Sequence, residues 1–141
     1  MQITIEVFGL PAPQGSKTIY RGRLVEASAK KLNPWRKAIA EAVHQALPAD
    51  HQILLGPIEA EIWIYLPRPA TVKKDKREFP IVPPDTDKIV RGILDGIGQG
   101  LDGKSGDGMF WGDDAQVVNL HAYKRYADDR EPGATIRLTA L

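Results

Sequence analysis

Pro83-Pro84-Asp85-Thr86-Asp87-Lys88-Ile89-Val90-Arg91-Gly92-Ile93-Leu94-Asp95-Gly96-Ile97 decides how this chain is read. A residue before proline is pushed to extended geometry, and proline is tolerated at or before a helix start. Pro83 and Pro84 therefore carry a stretched segment up to Asp85. Beyond it, Val90, Ile93, Leu94 and Ile97 fall at i, i+3, i+4, i+7, the spacing of one buried helical face. The pattern predicts a helix over 88–97 with Asp87 as its N-cap, ended by Gly96, Gly98 and Gly100. Asp87, Arg91 and Asp95, spaced by four, make a polar stripe on its other face.

Downstream, Phe110-Trp111-Gly112 precedes Asp113-Asp114, which leads into Gln116-Val117-Val118. Asp85, Asp87 and Asp114 are expected to meet in space. Carboxylates brought together repel, and a hard divalent cation is the usual reason to tolerate that; magnesium takes a few carboxylates plus water and phosphate oxygens. The competing reading makes Asp-x-Asp a cap and helix-dipole partner, and Asp-Asp a solvated turn. The segment from Asp102 to Gly108 hints at a calcium loop, but it lacks the ligand spacing and terminal glutamate of an EF-hand.

A chain of 141 residues suits one domain with a real core. Its 43% apolar and 26% charged content is globular rather than disordered. The absence of cysteine excludes disulfides, thiolate zinc sites and a cysteine nucleophile. No apolar run approaches the roughly 18 residues of a membrane span, and Met1-Gln2-Ile3-Thr4 lacks a signal-peptide pattern. A soluble cytosolic protein without a membrane partner is expected. The net charge of +1 announces no nucleic acid; its distribution is more informative. Lys17, Arg21, Arg23, Lys30 and Lys31 crowd one region, and Lys73, Lys74, Lys76 and Arg77 another, while many acids lie elsewhere. A near-neutral chain can still present a basic face to a phosphate backbone; the competing reading is two solvated loops.

In order, residues 2–8 alternate as a half-buried strand, followed by a Pro- and Gly-broken loop and a basic segment to Arg23 that is a loop or short hairpin. Ser28 can cap a helix whose regular part starts at Pro34 and runs to about Leu47. Residues 58–66 alternate as a strand, residues 70–82 read as a charged mobile loop, and 99–109 are too glycine-rich to be regular. Residues 115–126 and 134–141 read as strands joined in a hairpin. The result is a single α+β domain, 1–141, with a mixed or antiparallel sheet and helices on one face.

The run Pro84-Asp85-Thr86-Asp87-Lys88, Arg91, Asp95, then Phe110-Trp111-Gly112-Asp113-Asp114-Ala115-Gln116-Val117-Val118, resembles the RusA family of Holliday-junction resolvases. The strongest likeness covers about 83–126, and the element order elsewhere agrees. The resemblance implies a magnesium-dependent, homodimeric endonuclease that nicks branched DNA in recombination and repair, often phage-encoded, with no small-molecule cofactor. It implies Asp85 and Asp87 as paired metal ligands, Asp114 as the third essential carboxylate and Asp113 as its neighbour. Arg91 stands where the family usually has a functional lysine, and Lys88 where an asparagine is usual. The DNA contacts would then come from Lys17, Arg21, Arg23, Lys73, Lys74, Lys76, Arg77 and Lys88. For Arg91, a cation at the scissile phosphate competes with an intrahelical ion pair to Asp87 or Asp95. Two other functions fit less of the chain. One is a non-catalytic branched-DNA-binding protein with a structural metal. The other is an Asp-x-Asp phosphatase, which needs its pair at the end of a buried parallel strand, and Ile81-Val82-Pro83-Pro84 is a poor one.

Overall fold

The computed structural model describes residues 1–15, 17–26, 29–100 and 110–141, without the side chains of 17, 18 and 24–26. Its elements in order are β1 (Gln2–Phe8), β2 (Lys17–Tyr20), β3 (Arg23–Glu26), α1 (Ala29–Ala46), β4 (Ile58–Leu66), α2 (Thr86–Gly98), a short 3-10 helix (Asp114–Gln116), β5 (Val117–Tyr126) and β6 (Gly133–Ala140). The main sheet has the order β1-β6-β4-β5; β6 is antiparallel to both neighbours, and β4 is parallel to β5. One row of side chains crosses all four strands: Ile5 beside Ile136, Ile136 beside Ile62, Ile62 beside Ala122. This is the expected α+β domain, and of the mixed or antiparallel sheet expected it is the mixed one.

Period-two alternation puts Ile58, Ala60, Ile62, Ile64 and Leu66 of β4 on the buried side. They join Ile5, Val7, Ala134, Ile136 and Leu138 in one core with Leu32, Trp35, Ile39 and Val43 of α1 and Ile89, Val90, Ile93 and Ile97 of α2. Fully burying one such side chain is worth about 1.5–3 kcal/mol. The outer face is polar and laced with rings. Arg137 grips Glu61 through Nη2 at 2.7 Å and lies over Trp63, which stacks on Tyr123.

Five expectations are corrected. The final strands form no hairpin: β6 inserts between β1 and β4, and β5 takes the edge. Composition explains it. β6 presents Ala134, Ile136 and Leu138 to the core, whereas β5 carries Asn119, His121, Lys124 and Arg125, and Val118 and Leu120 stay exposed. The pairing shifts from Ile58–Val117 to Glu59–Asn119, which leaves Val118 as a bulge.

Helix α1 starts at Ala29, so Pro34 lies inside it; its Ser28 cap lies outside the described residues. The N-cap of α2 is Asp85, not Asp87. Extended φ −71° and ψ 142° qualify Asp85 for that place, and Asp87 sits in the first turn.

Gly96 does not end α2 but sits within it, because α1 needs the room. A Cβ there would stand 3.1 Å from Ile39 and 3.3 Å from the Arg36 carbonyl. The predicted irregular stretch 99–109 falls almost wholly outside the described residues.

Residues 17–26 resolve into the hairpin β2–β3, with Arg21 (φ 51°) and Gly22 (φ 75°) at its turn, as two-residue primed turns require. The loop expected to be mobile is tied down. Arg68 forks onto Asp128 at 2.7 and 3.0 Å, lies 4.1 Å over the Tyr126 ring, and donates to the carbonyls of Arg77 and Glu78. Among the described residues, no helix is long and apolar enough to cross a membrane.

Candidate nuclease site

α2 is the crossover between the parallel strands β4 and β5, so its N-terminus lies by the ends of those strands, beside Leu66 and Tyr126, and its C-terminus lies by the start of β5, against Trp111. The chain reaches Asp85 through Pro83-Pro84, whose peptide is cis. The ammonium of Lys124 on β5 donates to the carbonyls of Val82 at 3.0 Å and Pro84 at 2.8 Å. The Asp85 carboxylate makes no capping hydrogen bond, and both Asp85 and Asp87 are exposed. An N-cap aspartate normally spends its oxygens on the helix; this one makes no side-chain bond to it. An apolar groove of about 990 Å³, lined by Phe8, Leu10, Trp35, Val82 and Tyr126, runs up to Asp85 and Lys88.

The second acidic segment is set from below by Phe110 and Trp111, both buried. Phe110 is thus core. It stacks on His51, and its carbonyl accepts from Leu54 N–H at 3.0 Å. Trp111 docks against the end of α2, where a Cβ on Gly98 would stand 3.0 Å from the indole nitrogen. Gln116 then holds the turn. Its Oε1 accepts from Gly112 and Asp113 N–H, and its Nε2 donates to the carbonyls of Leu54 and Gly56, all at 2.9 Å. Asp113 caps the 3-10 helix by accepting from Ala115 N–H at 2.8 Å. That bond, then a hydrogen bond from Asp114, holds the Asp113 carboxyl below the usual range.

The carboxyl of Asp114, the first residue of that 3-10 helix, is pushed above the usual range. Partial burial is the largest cause, followed by its hydrogen bond to Asp113 and the charges and hydrogen bonding of Asp95 and Asp113. Asp114 therefore meets Asp95, a residue the sequence places in the polar stripe without a role. Asp95 stands about 12 Å along the helix from Asp87, at 1.5 Å per residue, so Asp114 meets Asp95 and not the Asp85/Asp87 pair, and the expected convergence of Asp85, Asp87 and Asp114 is not found among the described residues. Among the described residues, no three acidic or histidine side chains form a ready-made metal cage. A full cage is not needed for magnesium, which keeps waters and shares phosphate oxygens. The donors are all carboxylate oxygens, as a hard cation requires, and the crowding of Asp95, Asp113 and Asp114 is of the kind a cation relieves.

Arg91 projects from the same stripe, exposed, with its guanidinium against the backbone of Gly15. Among the described residues it makes no ion pair with Asp87 or Asp95. Of the expected DNA contacts, Arg21 and Arg23 sit exposed at the β2–β3 turn, while the Lys17 side chain lies outside the described residues. Lys73, Lys74 and Lys76 are exposed on the 67–84 loop. Arg77 is committed inward, donating to the Tyr126 hydroxyl at 2.8 Å. Lys88 is half-buried in the first turn of α2.

Sequence reasoning missed Lys124, Gln116 and Gln14. Only Gln116 carried a local signal, as the fourth residue of a capping box begun by Asp113.

The chain is 27% identical over 146 residues to a Bacillus subtilis (strain 168) protein named "Uncharacterized protein YqaN", covering 96% of this chain and 95% of that one. The family described as Endodeoxyribonuclease RusA matches residues 9–139. With nearly the whole domain matched, from the loop after β1 to the end of β6, this chain belongs to the RusA endodeoxyribonuclease family.

Proposed function

We propose that this protein is a magnesium-dependent, structure-selective endonuclease that resolves Holliday junctions by paired phosphodiester hydrolysis in DNA recombination and repair. The observation that carries the reading is the crowding of Asp95, in the C-terminal half of α2, with Asp113 and Asp114 before β5, within a chain of an endodeoxyribonuclease family. Two carboxylate pairs are the candidate cation ligands: Asp85 and Asp87 at the start of α2, and Asp113 and Asp114 before β5, where Asp95 adjoins them. When bound, a divalent ion supplies activation of a water and offsets negative charge on the phosphate.

The chain's own groups do the rest. The exposed carboxylate of Asp85 sits at the helix N-terminus, where a phosphate is also favoured. Arg91 sets a fixed positive charge one helical turn from Asp87, and a preorganised cation at developing charge lowers the barrier. Lys17, Arg21, Arg23, Lys73, Lys74, Lys76 and Lys88 supply sequence-independent attraction to the backbone, with Arg77 shaping the loop that carries three of them. A four-way junction has two-fold symmetry, so paired nicks call for a homodimer.

The test is a labelled four-way junction incubated with the purified protein, with and without Mg²⁺. Two symmetric nicks that require Mg²⁺ are expected. Asp87→Asn should abolish nicking and leave junction binding intact; full activity in that variant rules the assignment out. Salt-dependent binding by the wild type without any nicking would instead favour a non-catalytic branched-DNA-binding protein.

A further inference from the structure

The loop between β1 and β2 lies directly on α2. Gly92 makes this possible: a Cβ there would stand 3.4 Å from the Ala12 carbonyl and 3.6 Å from the Gln14 Cβ. Gln14 N–H donates to the Lys88 carbonyl of α2 at 2.9 Å, fixing the loop's register on the helix. The next residue, Gly15, has φ +115°, and a Cβ there would stand 3.1 Å from the Arg91 guanidinium.

Within this contact Gln14 is only 8% exposed. Its side-chain amide donates to Oδ2 of Asp95, and its own Oε1 is buried without a partner among the described residues. A residue present only to fill space would be apolar, because an orphaned buried acceptor costs stability and a methyl group does not. Asp95 is equally ill-suited to a purely structural task, since its carboxyl is set against that of Asp114. The two misfits adjoin, and together they form a chain of contacts from the loop to the carboxylate at the start of the 3-10 helix.

We propose that Gln14 and Asp95 are positioning residues for Asp114: the Gln14 amide fixes the Asp95 carboxylate, which in turn orients the Asp114 carboxylate toward the cation. The proposal rests on the nuclease reading above and deepens it. Groups that orient a metal ligand typically change metal affinity or activity by about 10- to 100-fold when removed. A residue that merely stabilises the fold would lower the melting temperature and leave the metal dependence of the remaining activity unchanged.

The experiment compares wild type, Gln14→Leu, Asp95→Ala, Asp95→Asn and Asp114→Asn as full chains. Cleavage of a four-way junction is followed across a Mg²⁺ titration, Mn²⁺ binding is followed by electron paramagnetic resonance, and junction affinity is measured in chelator. Gln14→Leu and Asp95→Ala should each raise the Mg²⁺ needed for half-maximal cleavage by about 10-fold or more, weaken Mn²⁺ binding in step, and leave metal-free junction affinity unchanged. Asp95→Asn keeps an acceptor for Gln14 and should shift the metal requirement by less than about threefold.

Should Gln14→Leu not fold, Asp95→Ala decides alone, because alanine is the best helix former and Asp95 is only half-buried. Unchanged metal activation in folded Asp95→Ala overturns the proposal. So does an Asp95→Asn variant as dead as Asp114→Asn, which would make Asp95 a direct ligand. A wild type that nicks no junction with any divalent ion is a different failure, that of the nuclease reading itself.

Discussion

The ammonium of Lys124 donates to the carbonyl of Pro84 at 2.8 Å, and so the edge strand β5 holds the residue immediately before Asp85. A second bond from the same nitrogen reaches the Val82 carbonyl at 3.0 Å. One cation thus ties the extended approach to α2 onto the strand that begins just after Asp114.

Lys124→Met keeps the aliphatic stem and removes both bonds. Hydrogen bonds to a charged donor contribute about 1.5–3 kcal/mol when partly shielded, so a loss of about 1–2 kcal/mol in urea unfolding is expected. Cleavage should fall by about tenfold or more, because a misplacement near 1 Å at the reacting centre is costly. A variant with the stability loss but wild-type cleavage would show that the position of Asp85 does not depend on β5.

The raised pKa of Asp114 makes stability depend on pH with a definite sign. The native carboxyl binds its proton more tightly than the unfolded one, whose ordinary value is 3.8. This contribution is fully present below that value and is lost as pH rises through the native value. At about pH 7 in chelator, the ionised Asp114 beside Asp95 and Asp113 works against folding. Asp114→Asn should therefore melt at a higher temperature than wild type at neutral pH, with the difference closing toward pH 3.8. Added Mg²⁺ should narrow the neutral-pH gap by stabilising wild type alone. Thermal melts across pH, with and without metal, check both statements.

Gly133 opens β6 opposite Phe8 with φ +155°, and a Cβ there would stand 2.0 Å from the Val7 carbonyl oxygen. That neighbour is backbone inside the sheet and cannot yield. Gly133→Ala should cost about 3 kcal/mol or more, the range of strain combined with lost pairing. The denaturant midpoint reads it. By contrast, Gly22→Ala meets open space and strains only its own φ of 75°.

The sequence made α2 and β4 legible because each carries one uninterrupted period, and Asp85/Asp87 and Asp113/Asp114 are visible as pairs, one at the start of α2 and one before β5. The placement of β5 was not legible. Val118, Leu120 and Ala122 alternate as convincingly as Ile136 and Leu138, and only the neighbours in the sheet decide which set is covered. The tie between Asp95 and Asp114 joins elements distant along the chain, so no local pattern announces it. Gln14 sits in a Pro- and Gly-broken stretch where a glutamine reads as solvent-facing; only the groove at Gly92 reveals that it is enclosed.

Because α2 is the crossover between two parallel strands, its length acts as a gauge. One extra residue between Asp87 and Asp95 would turn everything downstream by about 100° and swing Asp95 off its partner. Homologous sequences should therefore keep the spacing inside this helix free of insertions and deletions.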